Sequence, residues 1–357
     1  MRRHLAGAFA AEATRIRLQQ STRKTTLPFA LDDKLVIAVA SSALFDLGEA
    51  DRVFRERGEE AYRKFQRENE ETTLEPGVAF ALIKRLLGLN SAEAQLVEVV
   101  LLSRNDPDTG LRVFKSIQHY ELDITRAAFV KGKMPYRYLE AFDAALFLSG
   151  NAADVREAVL RGAPAGQVLP TDFVDDPDDP ELRIAFDFDG ILADDSAEAV
   201  FKSSGLAAFH TSEAHAASDP MPAGPLSRFF REIARLQQHE RGKAAEDGSY
   251  EPRVRIAIIT ARNAPAHERV VSTLRDWGIE VDEVFFLGGI DKTRILKIFR
   301  PHIFFDDQVV HLEGAAKLIP SVHVPFGVAN APVGPAAAVV EEAEQEDTRR
   351  HSRRLKR

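Results

Sequence analysis

Arg183-Ile-Ala-Phe-Asp-Phe-Asp-Gly-Ile-Leu-Ala-Asp194 joins an apolar run, Leu182 to Phe186, to two carboxylates, Asp187 and Asp189, and to a turn at Gly190. In an extended chain residues two apart point to the same side, so both acids face one point just beyond the strand. Open α/β sheets keep their ligands at that place. Two acids so close repel, and each raises the other's pKa unless a cation lies between them. A metal site is the economical reading, with Mg²⁺ favoured because the nearby ligands are hard oxygens. A strand followed by an acidic turn is the plain alternative, and Asp-x-Asp by itself leaves both open.

Three later runs bear on that choice. Arg253-Val-Arg-Ile-Ala-Ile-Ile-Thr260 reads as a buried strand ending in a hydroxyl, followed by Ala261-Arg262-Asn263. Phe285-Phe-Leu-Gly-Gly-Ile-Asp-Lys292 sets a lysine after a glycine pair and opens a helical run, Thr293 to Phe299. Pro301-His-Ile-Phe-Phe-Asp-Asp307 is a short apolar strand ending in a second carboxylate pair. Each alone has a dull explanation: a capping Thr, a solvated Lys, an acidic loop. Together they set acid pair, hydroxyl, lysine and acid pair at the ends of successive strands.

That order resembles the four motifs of the haloacid dehalogenase (HAD) superfamily of phosphohydrolases. Ala185-Phe-Asp-Phe-Asp-Gly with Asp194-Asp-Ser-Ala-Glu198, and Pro301-His-Ile-Phe-Phe-Asp-Asp-Gln308, are similar to the cytosolic 5′-nucleotidase type I family. So are Ala40-Ser-Ser-Ala-Leu-Phe-Asp46 and Ser116-Ile-Gln-His-Tyr120, and the similarity runs from about Leu35 to Phe326. The resemblance implies a Mg²⁺-dependent, cytoplasmic 5′-nucleotidase acting on nucleoside 5′-monophosphates, AMP first, through an aspartyl-phosphate. It implies Asp187 as nucleophile and Asp189 as the acid and base that serves the leaving oxygen and then water. Mg²⁺ is expected on Asp187, the backbone carbonyl of Asp189, and one or both of Asp306 and Asp307. Lys292 supplies a fixed charge, while Thr260 and the loop amides near Gly190 and Ala261 donate to phosphoryl oxygens. Arg262 either steadies the substrate phosphate or is solvated at the surface, and His302 is expected to be structural. A HAD phosphatase for another small ester, such as a sugar phosphate, and a nucleotide-binding pseudoenzyme are the alternatives.

The whole chain sets bounds on these readings. Its 357 residues, 45% hydrophobic and 29% charged, suit a globular protein of more than one domain. A net charge of −8 does not favour nucleic acid or a membrane surface as partner, and homo-oligomerisation is left open. No cysteine is present, which excludes disulfides and a thiol nucleophile and is compatible with a reducing compartment. No Gly-x-Gly-x-x-Gly follows a strand, against a dinucleotide enzyme. A receiver domain places its acid pair before the phosphorylated Asp, unlike the order here.

Alternating strand and helix patterns from Leu35 predict parallel sheets with right-handed crossovers. The second half repeats the first. Ile37-Ala38 set on Ile184-Ala185 gives an offset of 147, while Phe142 on Phe299 gives 157 and also puts Ser103 on Thr260 and Ser149 on Asp306. The expected fold class is therefore α/β with two Rossmann-like, HAD-type lobes, the second catalytic. A general likeness between any two such sheets is the competing explanation. The expected divisions are an N-terminal arm (1–30), a degenerate lobe (31–170), an acidic linker (171–181), a catalytic domain (182–330) and a C-terminal helix and tail (331–357). A small helical cap is expected as an insertion at about 196–252, by resemblance.

Overall fold

The strands of this chain are nearly continuous apolar runs because both faces of the sheet are covered by helices. Leu35–Val39 (β1) and Val97–Ser103 (β2) are buried at every residue, and Leu182–Phe186 (β6) at all but Arg183. In the computed structural model residues 30–330 are described, and those from Lys34 onward belong to one compact unit. The expected arm up to residue 29 and the expected tail from 331 lie outside the described residues.

After β1 come α1 (Ser41–Leu44), α2 (Gly48–Glu68), α3 (Phe80–Leu87), β2, α4 (Leu111–His119) and β3 (Arg126–Phe129). Two 3₁₀ turns lead to β4 (Leu146–Ser149), α5 (Ala152–Leu160) and β5 (Ala165–Leu169). The second half runs β6, α6 (Ser196–His215), α7 (Ser227–Glu246), β7 (Val254–Thr260), α8 (His267–Asp276) and β8 (Glu283–Phe286). It ends with α9 (Thr293–Phe299), β9 (Ile303–Asp306), α10 (Val309–Ala315) and β10 (Ser321–His323).

Instead of two sheets there is one of ten strands, in the order β3-β2-β1-β4-β5-β10-β9-β6-β7-β8. Every pairing is parallel except β5 with β10 at the centre. These are the last strands of the two halves, and pairing them hides two edges that would otherwise be open. The approach is close: a Cβ on Gly166 would lie 2.2 Å from Val322 Cγ1. A single apolar cluster takes Ile37 and Leu146 from one half and Ile184 and Ile303 from the other.

The repeat seen in the sequence recurs in the hydrogen-bond register. Leu35 pairs with Val97 and Ile37 with Leu146; 147 and 157 residues on, Leu182 pairs with Val254 and Ile184 with Ile303. It extends into the helices. Gly58 and Gly205, 147 apart, break α2 and α6 with nearly one backbone geometry (φ 79, ψ −177; φ 81, ψ 178), a region open to glycine. Phe54 meets Tyr62 edge-on in α2, as Phe201 meets Phe209 in α6.

The segment expected as an inserted cap holds α6 and α7. The kinked α6 has a counterpart in α2. Helix α7 covers the sheet, with Phe229 and Phe230 buried against Phe186. Its apolar stripe faces the core, as an amphipathic crossover helix requires. The additional residues lie beyond its first turns: α3 starts 147 residues before α7, yet has 8 residues against 20. The acidic segment 171–181 has no helix or strand but is pinned down. Arg85 donates to Asp175 Oδ2 (2.8 Å), the Asp176 carbonyl (2.8 Å) and the Glu181 carbonyl (3.0 Å).

Candidate active site

Four chain segments leave the sheet at the carboxyl ends of β6, β7 and β9 and at the start of α9, and they carry the residues singled out above. The backbone N–H of Asp187 donates to the Phe305 carbonyl at 2.8 Å, which extends the β6–β9 pairing by one residue. Phe188 is fully buried and its N–H donates to Asp187 Oδ1 at 2.7 Å, which orients the carboxylate. Gly190 has φ 71, and a Cβ there would lie 2.7 Å from the Asp307 carboxyl. Only glycine allows the loop and the second acid pair to come that close.

Lys292 is the hub of the buried charges. Its Nζ lies 2.7 Å from Asp187 Oδ2 and 2.7 Å from Asp306 Oδ2. Burial disfavours its charge, but the two carboxylates overcome that and raise its pKa. Burial, with the facing charges of Asp306 and Asp189, pushes Asp187 up even though Lys292 opposes it. Asp306 goes the other way: burial is outweighed by Lys292 and by His311, whose Nδ1 is 3.2 Å from both its oxygens. Asp307 is pushed up to about 9 by burial and by Asp187 and Asp306.

These charges supply a test for a cation. Asp307 Oδ1 is buried and has no hydrogen-bond partner among the described residues. A buried carboxylate oxygen with no partner, beside two further acids, is costly unless a positive charge joins it. Ligand atoms of Asp187, Asp306 and His311 all lie within 4.8 Å of one another. A divalent cation fits this set, and the carboxylate majority suits a hard one.

Asp189 is held from another side. Arg262, 3% exposed, grips it with Nε to Oδ2 (2.7 Å) and Nη2 to Oδ1 (2.6 Å). The same guanidinium bonds the buried Glu213 of α6 and lies 5.5 Å over the Phe188 ring and 5.6 Å over the Phe209 ring. Arg269 supports Glu213 at 2.9 Å. Surface solvation of Arg262 is thereby ruled out, and its donors are engaged by protein groups. Thr260 is buried at the end of β7 and its hydroxyl accepts from the Arg262 N–H at 3.2 Å, with Ala261 exposed between them.

Asp187, Lys292 and Asp306 thus meet directly, Asp307 adjoins them, and Asp189 with Arg262 forms a neighbouring pair. His302 is elsewhere: it precedes β9, is buried, and its Nδ1 accepts from the Arg183 N–H at the start of β6. Sequence reasoning missed His311 and Glu213. His311 stands four residues after Asp307, in the first turn of α10, a spacing that could have been tested; Glu213 gave no local signal.

A family model described as 5′-nucleotidase matches residues 27–331. The human (Homo sapiens) protein named cytosolic 5′-nucleotidase 1B is 36% identical over 294 residues, 80% of this chain and 47% of its own length. The chain therefore spans about half the length of that relative. Among solved structures, a histidinol dehydrogenase from Elizabethkingia anophelis aligns with 9% identity and a TM-score of 0.21 over 69% of this chain and 49% of that one. So low a score carries no structural argument.

Proposed function

Since the chain belongs to the 5′-nucleotidase family, we propose that it hydrolyses nucleoside 5′-monophosphates, AMP first, to nucleoside and phosphate by HAD-type chemistry. The observation that carries this reading is the meeting of Asp187, Lys292 and Asp306 at one end of the sheet, with Asp189 gripped by Arg262 beside them.

A phosphate monoester is doubly anionic near neutrality and repels an attacking carboxylate. Lys292 offsets part of that charge, and the Thr260 hydroxyl with the amides near Gly190 and Ala261 donates to phosphoryl oxygens. Mg²⁺ is the proposed cation, held by Asp187, the Asp189 carbonyl, Asp306 and Asp307, with His311 at the edge of the set. When bound it would neutralise phosphoryl charge and relieve the repulsion among the acids.

Asp187 attacks phosphorus through a carboxylate oxygen, and the bond from phosphorus to the 5′-oxygen breaks. Asp189 delivers a proton to the departing oxygen. It then takes one from the water that attacks the acyl-phosphate, so that phosphate leaves and Asp187 is restored. Arg262 fixes the direction of Asp189 with two hydrogen bonds, which leaves room on the carboxyl for the one proton that it gives up and takes back. Arg262 therefore positions an acid instead of holding the substrate.

We read the two halves as HAD-like copies and the second as the chemical one. Helix α6, which bears Phe209 and Glu213 against Arg262, is the proposed closing element over the site. The cytoplasm is the proposed compartment, from the relative's name and the absence of cysteine; no described helix is long and apolar enough to cross a membrane. Phosphate release from a panel of 5′-monophosphates and sugar phosphates, with and without Mg²⁺, tests the reading. Preference for a sugar phosphate would replace it by the other esterase reading, and no release from any ester would favour a pseudoenzyme.

A further inference from the structure

The carboxyl ends of β1, β2 and β4 repeat, in the first half, the place where the acids gather in the second. A cleft of about 1070 Å³ opens there, at the upper end of the range for small-molecule sites. At its floor Ala40, Ser42, Ser149 and Gly150 stand where the repeat puts Asp187, Asp189, Asp306 and Asp307, and Pro135 stands for Lys292. At these repeated positions no group remains that would hold a metal or a phosphate by charge.

Beside these positions stand uncharged polar groups. Asn105 occupies the position of Arg262. Its Oδ1 accepts from the Tyr62 hydroxyl at 2.9 Å, while its Nδ2 is buried with no partner among the described residues. A donor left so is costly, and a ligand acceptor that reached it would satisfy it. Ser42 adds a half-buried hydroxyl, and the wall carries Tyr120, stacked on Phe45, with Phe173 beyond.

Charge then selects the ligand. Five carboxylates line the cleft (Asp46, Asp51, Glu75, Asp154 and Asp175) against two cations, Lys84 and Arg104, while Asp175 is paired with Arg85 behind the lining. Arg104 is spent on both oxygens of the buried Asp154. A doubly anionic phosphate would meet net repulsion there, whereas an uncharged ring with hydroxyls meets aromatic faces and hydrogen-bonding groups.

We propose that this second cleft binds an uncharged aromatic heterocycle bearing hydroxyls, of nucleoside type, and not a phosphate ester. The inference rests on the cleft and not on the activity proposed above.

Titration calorimetry of the full chain with adenosine, in chelator, tests it, with inorganic phosphate as the competing probe. Ser42→Phe fills the floor, and Asn105→Asp keeps the acceptor for Tyr62 while removing the free donor. Each should weaken one class of adenosine site at least about tenfold, and thermal melting should confirm that each variant is folded. Inorganic phosphate should not displace adenosine from that site. The proposal is overturned if adenosine does not bind at millimolar concentration. It is equally overturned if both folded variants bind adenosine as the parent does, or if phosphate competes for the site that Ser42→Phe removes.

Discussion

At the ends of β6 and β9 Asp187 and Asp306 flank one buried lysine, with Asp189 and Asp307 beside them, while the corresponding ends of β1 and β4 hold Ala40, Ser42, Ser149 and Gly150. The backbone around the two places is repeated down to the strand register and the glycine breaks in α2 and α6. The two halves share a scaffold and differ in the charges it carries. Scaffold and chemistry part so readily because many buried apolar residues fix the first, whereas about six polar side chains carry the second. Even the support is retained in altered form: Arg112 donates to Gln66 in one half as Arg269 does to Glu213 in the other.

The sharpest contrast lies between Asp187 and Ala40. Asp187→Asn should lower phosphate release by on the order of 10³-fold or more, since no other group in the set replaces the nucleophile. Steady-state release of inorganic phosphate measures this, and near-normal turnover would remove the distinction between the halves. Next is the cation. Chelator should abolish release and Mg²⁺ restore it, while Asp306→Asn with Asp307→Asn should prevent restoration at ordinary metal concentrations. Turnover that persists in excess chelator would count against a metal in either half.

Arg262 should show both stability and rate effects. Arg262→Met leaves Asp189 without its fork and removes one partner of the buried Glu213, a type of loss that costs about 3–5 kcal/mol. Urea unfolding measures that loss, and kcat at a temperature where the variant is folded should fall by on the order of 10-fold or more. The corresponding Asn105 carries no such charge, so Asn105→Asp should leave release within about twofold.

How much of this was readable beforehand depended on where each cause lies. Asp187, Asp189, Thr260, Lys292 and Asp306 were legible because strand ends announce themselves by apolar runs. The offsets of 147 and 157 were legible because a repeated register leaves a repeated sequence pattern. The β5–β10 seam was not, since two edge strands about 150 residues apart carry no local mark of their pairing. An amphipathic helix such as α7 shows an apolar face in its sequence but not the partner that covers it. His311 and Glu213 became functional candidates only through the packing of α10 and α6.

The smaller effects concern the quiet groups. Ser42→Ala and Ser149→Ala should each leave kcat within a few-fold, about 1 kcal/mol or less in barrier. A changed KM would assign recognition of the substrate to the first half. His302, near neither set of strand ends, should act on stability alone. Burial, with Arg85 and Arg183 nearby, lowers its pKa from 6.5 to about 3. Between those values the unfolded chain binds a proton that the native state refuses. Stability is therefore full above pH 6.5 and declines as pH falls toward 3, by up to about 1.4 kcal/mol per pH unit from this group. His302→Asn should flatten that slope in urea titrations across pH 6.5 to 4.5.

The difference between the halves rests on a single covalent bond formed in the second. Asp189→Asn retains the nucleophile and loses the proton relay, so p-nitrophenyl phosphate, whose leaving group needs little acid help, should load it faster than water can clear it. Acid quench and peptide mass spectrometry should then find phosphate on Asp187. Phosphate on any other residue, or none in a folded variant that still releases p-nitrophenol, would contradict the assignment of chemistry to this half.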